Sequence, residues 1–119
     1  MRRKNRLKEY DFIFNALADK RGLDILGLDM EESSAISDTF ILVTANSDIH
    51  MNTLRDAAVE ALRARGLETS VEGSDSSQWR LIDGGGEVTV HIFSKTGRDH
   101  YRLDKLWGDA PSYHFTYRE

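Results

Sequence analysis

The chain has no cysteine and a single proline, Pro111, among its 119 residues. Disulfide bonds and thiolate zinc sites are therefore excluded, and nothing argues for an oxidising compartment. No apolar run approaches the roughly 20 residues that a bilayer-spanning helix needs. The basic start Met1-Arg2-Arg3-Lys4 is not followed by the unbroken apolar segment and small-residue cleavage site of an export signal. A soluble, cytoplasmic protein is the expectation. Positive charge is not in excess either: 16 Lys and Arg stand against 20 Asp and Glu, a net charge of −4. Phosphate backbones and anionic membranes repel such a molecule mildly, which disfavours generic nucleic-acid binding.

What is present fits a folded domain. Hydrophobic residues make up 39% and charged residues 30%, the balance of a globular protein and not of a disordered one. A chain of this length buries about two thirds of the surface that its unfolded form exposes. One domain over residues 1–119 is expected, with a basic tail at 1–6 and an irregular tail at 112–119, and there are no internal repeats. Arg2, Arg3, Lys4, Arg6 and Lys8 crowd the start; they are either a solvated lead-in or a minor contact to RNA.

Periodicity sets out the elements. From Asn5 to Arg21, apolar Leu7, Tyr10, Ile13, Phe14, Leu17 and Ala18 recur at the spacing of one helical face. Gly22 follows where a C-terminal glycine belongs. Leu23 to Met30 reads as a strand with a weak point at Gly27. The run from Thr39 to Thr44 is continuous and β-branched, which predicts a central strand buried on both faces. Ser47 offers a cap for a second helix that carries Met51, Leu54, Ala58, Ala61 and Leu62 and stops at Gly66. Strands follow at Leu67 to Val71, Gln78 to Asp83 and Glu87 to Phe93, then a helix from Lys95 to Trp107. The order predicts an α/β fold, a mixed sheet of about five strands with helices packed on it.

Gly84-Gly85-Gly86 suits a hairpin loop, because no Lys-Ser/Thr pair or helix start follows it as a phosphate cradle requires. With these glycines as the loop, Asp83 faces Glu87, Leu81 faces Thr89 and Trp79 faces His91. One side of the hairpin is then apolar, with Ile82, Val88, Val90 and Ile92. The other carries Trp79, Leu81, Asp83, Thr89, His91 and Phe93, a mixture of rings and a carboxylate like that of protein-binding hot spots. Arg80 falls on the apolar side and makes the partition imperfect. His50, His91, His100 and His114 lack the paired spacing of a zinc helix, and no serine sits in a nucleophile elbow. Neither catalytic residues, a metal nor a cofactor is expected.

Trp79-Arg80-Leu81-Ile82-Asp83, Val90-His91-Ile92-Phe93 and the run from Tyr101 to Ala110 resemble the ribosomal silencing factor (RsfS, or Iojap) family. Leu26-Gly27-Leu28-Asp29, Ser37-Asp38-Thr39-Phe40, Ala45-Asn46-Ser47 and His50 follow the same order, and the resemblance covers roughly residues 7 to 112. It implies a fold similar to nucleotidyltransferases without their activity, often dimeric. It also implies binding to the fourteenth protein of the large ribosomal subunit, which blocks joining of the small subunit and represses translation when nutrients are scarce. Partner-binding residues implied by it are Trp79, Leu81, Asp83, His91, Phe93, Tyr101 and Trp107, with the rings as anchors and Asp83 meeting a basic side chain. The chain departs from the family at Thr39, where an aromatic is usual, and at Asp104, where glutamate is common. The alternative is a nucleotidyltransferase-like enzyme that binds magnesium and a nucleotide, motivated by the fold analogy and by carboxylates such as Asp38 and Asp83. No Asp-x-Asp or Asp-x-Glu pair stands at a strand end beside a glycine turn to support it.

Overall fold

The computed structural model describes residues 9–29, 39–72, 78–101 and 112–114; residues 100, 101 and 112–114 are described by their backbone. Helix α1, Asp11–Asp19, buries Ile13, Phe14, Leu17 and Ala18 as its periodicity predicts. Its end differs in detail from the expectation. The left-handed position is Arg21, at φ 65°, and not the glycine after it. The Arg21 N–H donates to the Ala18 carbonyl and the Gly22 N–H to the Leu17 carbonyl, each at 2.9 Å, closing the last turn in a Schellman pattern. Gly22 is needed for space: a Cβ there would lie 2.6 Å from Val43 Cγ2.

Strands β1 (Leu23–Asp29), β2 (Thr39–Ala45), β3 (Thr69–Glu72), β4 (Trp79–Gly84), β5 (Val88–Ser94) and β6 (Ser112–His114) form one sheet in the order β3-β4-β5-β2-β1-β6. Only β2 and β5 run parallel among these pairs. The sheet has a sixth strand because Ser112–His114, expected to be irregular, pairs with Leu26 to Leu28. A segment this short carries no pattern of its own; the open edge of β1 supplies its hydrogen-bond partners. In β1 the irregularity falls between Leu23 and Leu26, where Asp24 has φ 49°. Gly27 pairs regularly with Ile41 and Tyr113. Strand β2 is buried along its whole length, as a continuous apolar strand flanked by β1 and β5 must be.

Helix α2, Asp48–Ala64, starts at Ser47, whose Oγ accepts the His50 N–H at 3.0 Å. It ends at Gly66 with φ 80°, where the Leu67 N–H returns to the Leu62 carbonyl. Both long helices pack on one face of the sheet. Ile13, Phe14, Leu17, Met51, Leu54, Ala58 and Leu62 meet Ile25, Ile41, Val43, Ile82, Val88, Val90 and Ile92 in the main core. Arg80 shares this face; it is buried, and its guanidinium donates to Asn52 Oδ1 of α2. The acceptor on the covering helix is one of the contacts that offset the cost of burying a charged residue there. Helix α3, Lys95–Tyr101, follows β5 directly. Gly97 backs onto Gln78, whose carbonyl oxygen would lie 2.1 Å from an added Cβ. Arg98 ties the helix to β2 and β1 through Thr44 Oγ1 at 2.8 Å and the Asp24 carbonyl at 3.1 Å.

Candidate partner-binding face

The hairpin register is two residues away from the expectation. Gly84 pairs with Val88, Asp83 with Thr89, Leu81 with His91 and Trp79 with Phe93. The loop is Gly85-Gly86-Glu87, in which Gly85 and Gly86 take φ 67° and 82°. Asp83 Oδ1 accepts the Gly86 N–H at 3.0 Å and pins the turn. Gly84 belongs to the strand because α2 lies directly over it: a Cβ would sit 2.9 Å from Leu62 Cδ2. The adjacent glycines thus answer two demands, close approach of a helix and left-handed turn angles. A shift of two residues leaves every side chain on its expected face, since strand side chains alternate with period two.

The second face is therefore built as read, but it is not uniformly open. His91, Phe93 and Thr89 are buried, whereas Trp79, Leu81 and Asp83 are half-buried. Only part of the row of rings on this face therefore reaches water. Strand β5 lies inside the sheet, and its Phe93 joins Leu26, Leu28, Phe40 and Leu42 of β1 and β2 in a second apolar cluster on which Trp79 packs. Strand β4 stands one place from β3 at the end of the sheet, and its row on this face is half-buried. Beyond it, Ser70 and Glu72 of β3 pair with Asp83 and Leu81 and are exposed. They extend the face in a way the short β3 pattern did not reveal.

The rings are held closely. Trp79 Nε1–H donates to His91 Nδ1 at 3.1 Å, and His91 Nε2 lies 3.1 Å from Thr89 Oγ1. Trp79 stacks on Phe93 at 5.7 Å between ring centres, and Phe40 lies 4.8 Å from His91. Burial of the imidazole away from water lowers the His91 pKa to about 4, so the ring is neutral at pH 7. Tyr101 ends α3, with its side chain outside the described residues, and Trp107 lies outside them altogether. Asp38 does too. Among the described residues no group of three His, Asp or Glu side chains is placed to hold a metal ion, and no helix is long and apolar enough to cross a membrane.

Fold and face together define a mixed α/β domain with rings, an aliphatic side chain and a carboxylate on a rigid backing, an arrangement suited to contact with another macromolecule. Comparison with known proteins makes the class specific. Residues 4–118 match the family model described as "ribosomal silencing factor during starvation". The ribosomal silencing factor of Bacillus subtilis is 41% identical over 97 residues, covering 81% of each chain. That of Halalkalibacterium halodurans is 36% identical over 99 residues, covering 82% of this chain and 84% of the relative. A crystal structure from Chromobacterium violaceum superposes with a TM-score of 0.77 at 29% identity, covering 91% of this chain and 88% of that one. The chain belongs to the ribosomal silencing factor family. A mouse protein named mitochondrial assembly of ribosomal large subunit protein 1 is 22% identical over 103 residues, 83% of this chain and 45% of that protein.

Proposed function

We propose that this protein binds the large ribosomal subunit through its fourteenth ribosomal protein, blocks association with the small subunit and so represses translation under nutrient limitation. The observation that carries this reading is the half-buried row Trp79, Leu81 and Asp83 on the sheet face opposite the two long helices. Trp79 and Leu81 supply apolar contact area, and the second carboxylate oxygen of Asp83 meets a basic side chain. Tyr101 and Trp107 contribute further anchors, while His91 and Phe93 act from beneath by holding Trp79. The net charge of −4 suits a basic ribosomal partner. The name of the mouse relative, which refers to the large ribosomal subunit, supports the same partner. In the cytoplasm the protein acts by occupying a surface and needs no cofactor.

Co-sedimentation with purified large subunits tests the binding, and a subunit-joining assay tests the consequence. Trp79→Ala is expected to weaken binding by about 2 kcal/mol, roughly 30-fold, as truncation of a central anchor does. Unchanged affinity in that variant would count decisively against the proposed face.

A further inference from the structure

Trp79 is half-buried, and its one polar atom is already engaged within the chain. An indole nitrogen can only donate, so His91 Nδ1 must be the acceptor in the 3.1 Å contact between them. The imidazole proton then resides on Nε2, facing Thr89 Oγ1 at 3.1 Å. The Thr89 hydroxyl, which can accept as well as donate, accommodates that tautomer, while the donor-only indole N–H is what requires it. The two partners stand diagonally across the hairpin, because Trp79 pairs with Phe93 and Leu81 with His91. Phe93 stacks 5.7 Å from the indole at 18°, which restrains its plane. His91 is wedged between Phe40 and Phe93, with ring centres at 4.8 Å and 6.3 Å, and has little room to turn.

We infer that His91 is the positioning residue of this face: it holds the Trp79 indole by its N–H, so that a partner meets only the carbon surface of the ring. The matching group on the partner is then an aliphatic side chain or a guanidinium lying on the indole, and not a hydrogen-bond acceptor. The description of the partner's chemistry rests on the proposed ribosome binding; the restraint on the indole does not. Fixing the ring before association removes an ordering cost that would otherwise weaken binding.

The restraint is read directly on the full-length chain labelled with nitrogen-15. A scalar coupling between Trp79 Nε1 and His91 Nδ1 is expected across the hydrogen bond, the indole resonance being assigned by its loss in Trp79→Phe. A proton found on His91 Nδ1 at neutral pH, or no coupling to that atom, overturns the inference whatever the ribosome does. Binding to purified large subunits supplies the second readout. His91→Asn places an amide oxygen near the position of Nδ1 and is expected to bind within about threefold of wild type. His91→Phe fills the space without an acceptor and is expected to bind about tenfold more weakly, since it leaves a donor unsatisfied. Simple space filling predicts the opposite order, and finding that order refutes the positioning role. Failure of the wild-type chain to sediment with large subunits, with the coupling present, would refute the partner and leave the restraint standing.

Discussion

Acidification is expected to destabilise this protein through His91, by an amount that follows from its burial. The unfolded chain protonates this side chain near pH 6.5, whereas the folded protein resists protonation until about pH 4. Above pH 6.5 both states are neutral and the full stability is present. As the pH falls below 6.5 the unfolded state takes the proton first, so stability declines; below about pH 4 both states are charged and the decline from this group ends. The difference in pKa corresponds to about 3 kcal/mol over the whole window, with about 1.4 kcal/mol already lost at pH 5.5. A stability of 5 to 15 kcal/mol is typical of a domain, so a loss of this order is readily measured. Urea unfolding at pH 7, 5.5 and 4 is the assay, run in parallel on wild type and His91→Asn because carboxylates titrate in the same range. Wild type should lose about 3 kcal/mol more than the variant between pH 7 and pH 4. Equal losses in the two proteins, or a His91 ring that titrates near pH 6.5 in an NMR experiment, would refute the reasoning. Between pH 6.5 and 8 the same argument predicts that the Trp79 contact, and any binding that depends on it, is insensitive to pH.

Other substitutions separate the causes identified in the fold. Gly86→Ala places a side chain at φ 82° in open space and is expected to cost about 1 kcal/mol by backbone strain alone. Gly84→Ala meets Leu62 and Val88 at 2.9 Å and is expected to cost about 1 to 3 kcal/mol by overpacking; thermal unfolding that ranks the two in reverse would contradict the division of labour among the glycines. Ser47→Ala removes the acceptor for the His50 N–H and should lower stability by about 1 kcal/mol in urea unfolding. Asn52→Ala withdraws an acceptor from the buried Arg80 guanidinium and should cost about 1 to 3 kcal/mol, with a neutral result arguing that Arg80 relies on its other contacts. Isothermal calorimetry with magnesium and nucleoside triphosphates should detect no micromolar binding; a clear signal would return the nucleotidyltransferase alternative to consideration.

Much of this architecture can be read from residues in order. The apolar spacing of α1 and α2, the Ser47 cap, the Gly66 stop and the buried β2 run depend on local periodicity and local hydrogen bonding, and such properties are written within a few residues of one another. The division of the hairpin into two faces is equally local, which is why a register displaced by two residues left it intact. Family membership was legible too, because short motifs in a fixed order survive in sequence.

Tertiary structure decided what depends on contacts between distant segments. Whether Gly84 belongs to the turn or the strand was settled by Leu62, far away in α2. The strand at Ser112–His114 exists because β1 offers an edge to pair with. Most important for function, alternation placed Trp79, Leu81, Asp83, His91 and Phe93 on one face but could not say which of them water reaches. That depended on contacts with distant segments: Phe93 of β5 joins Leu26, Leu28, Phe40 and Leu42 in a second buried cluster and helix α3 packs against the strand, while the row on β4 stays half-buried. Exposure is a property of what packs over and beside a strand, and no residue within the strand carries that information.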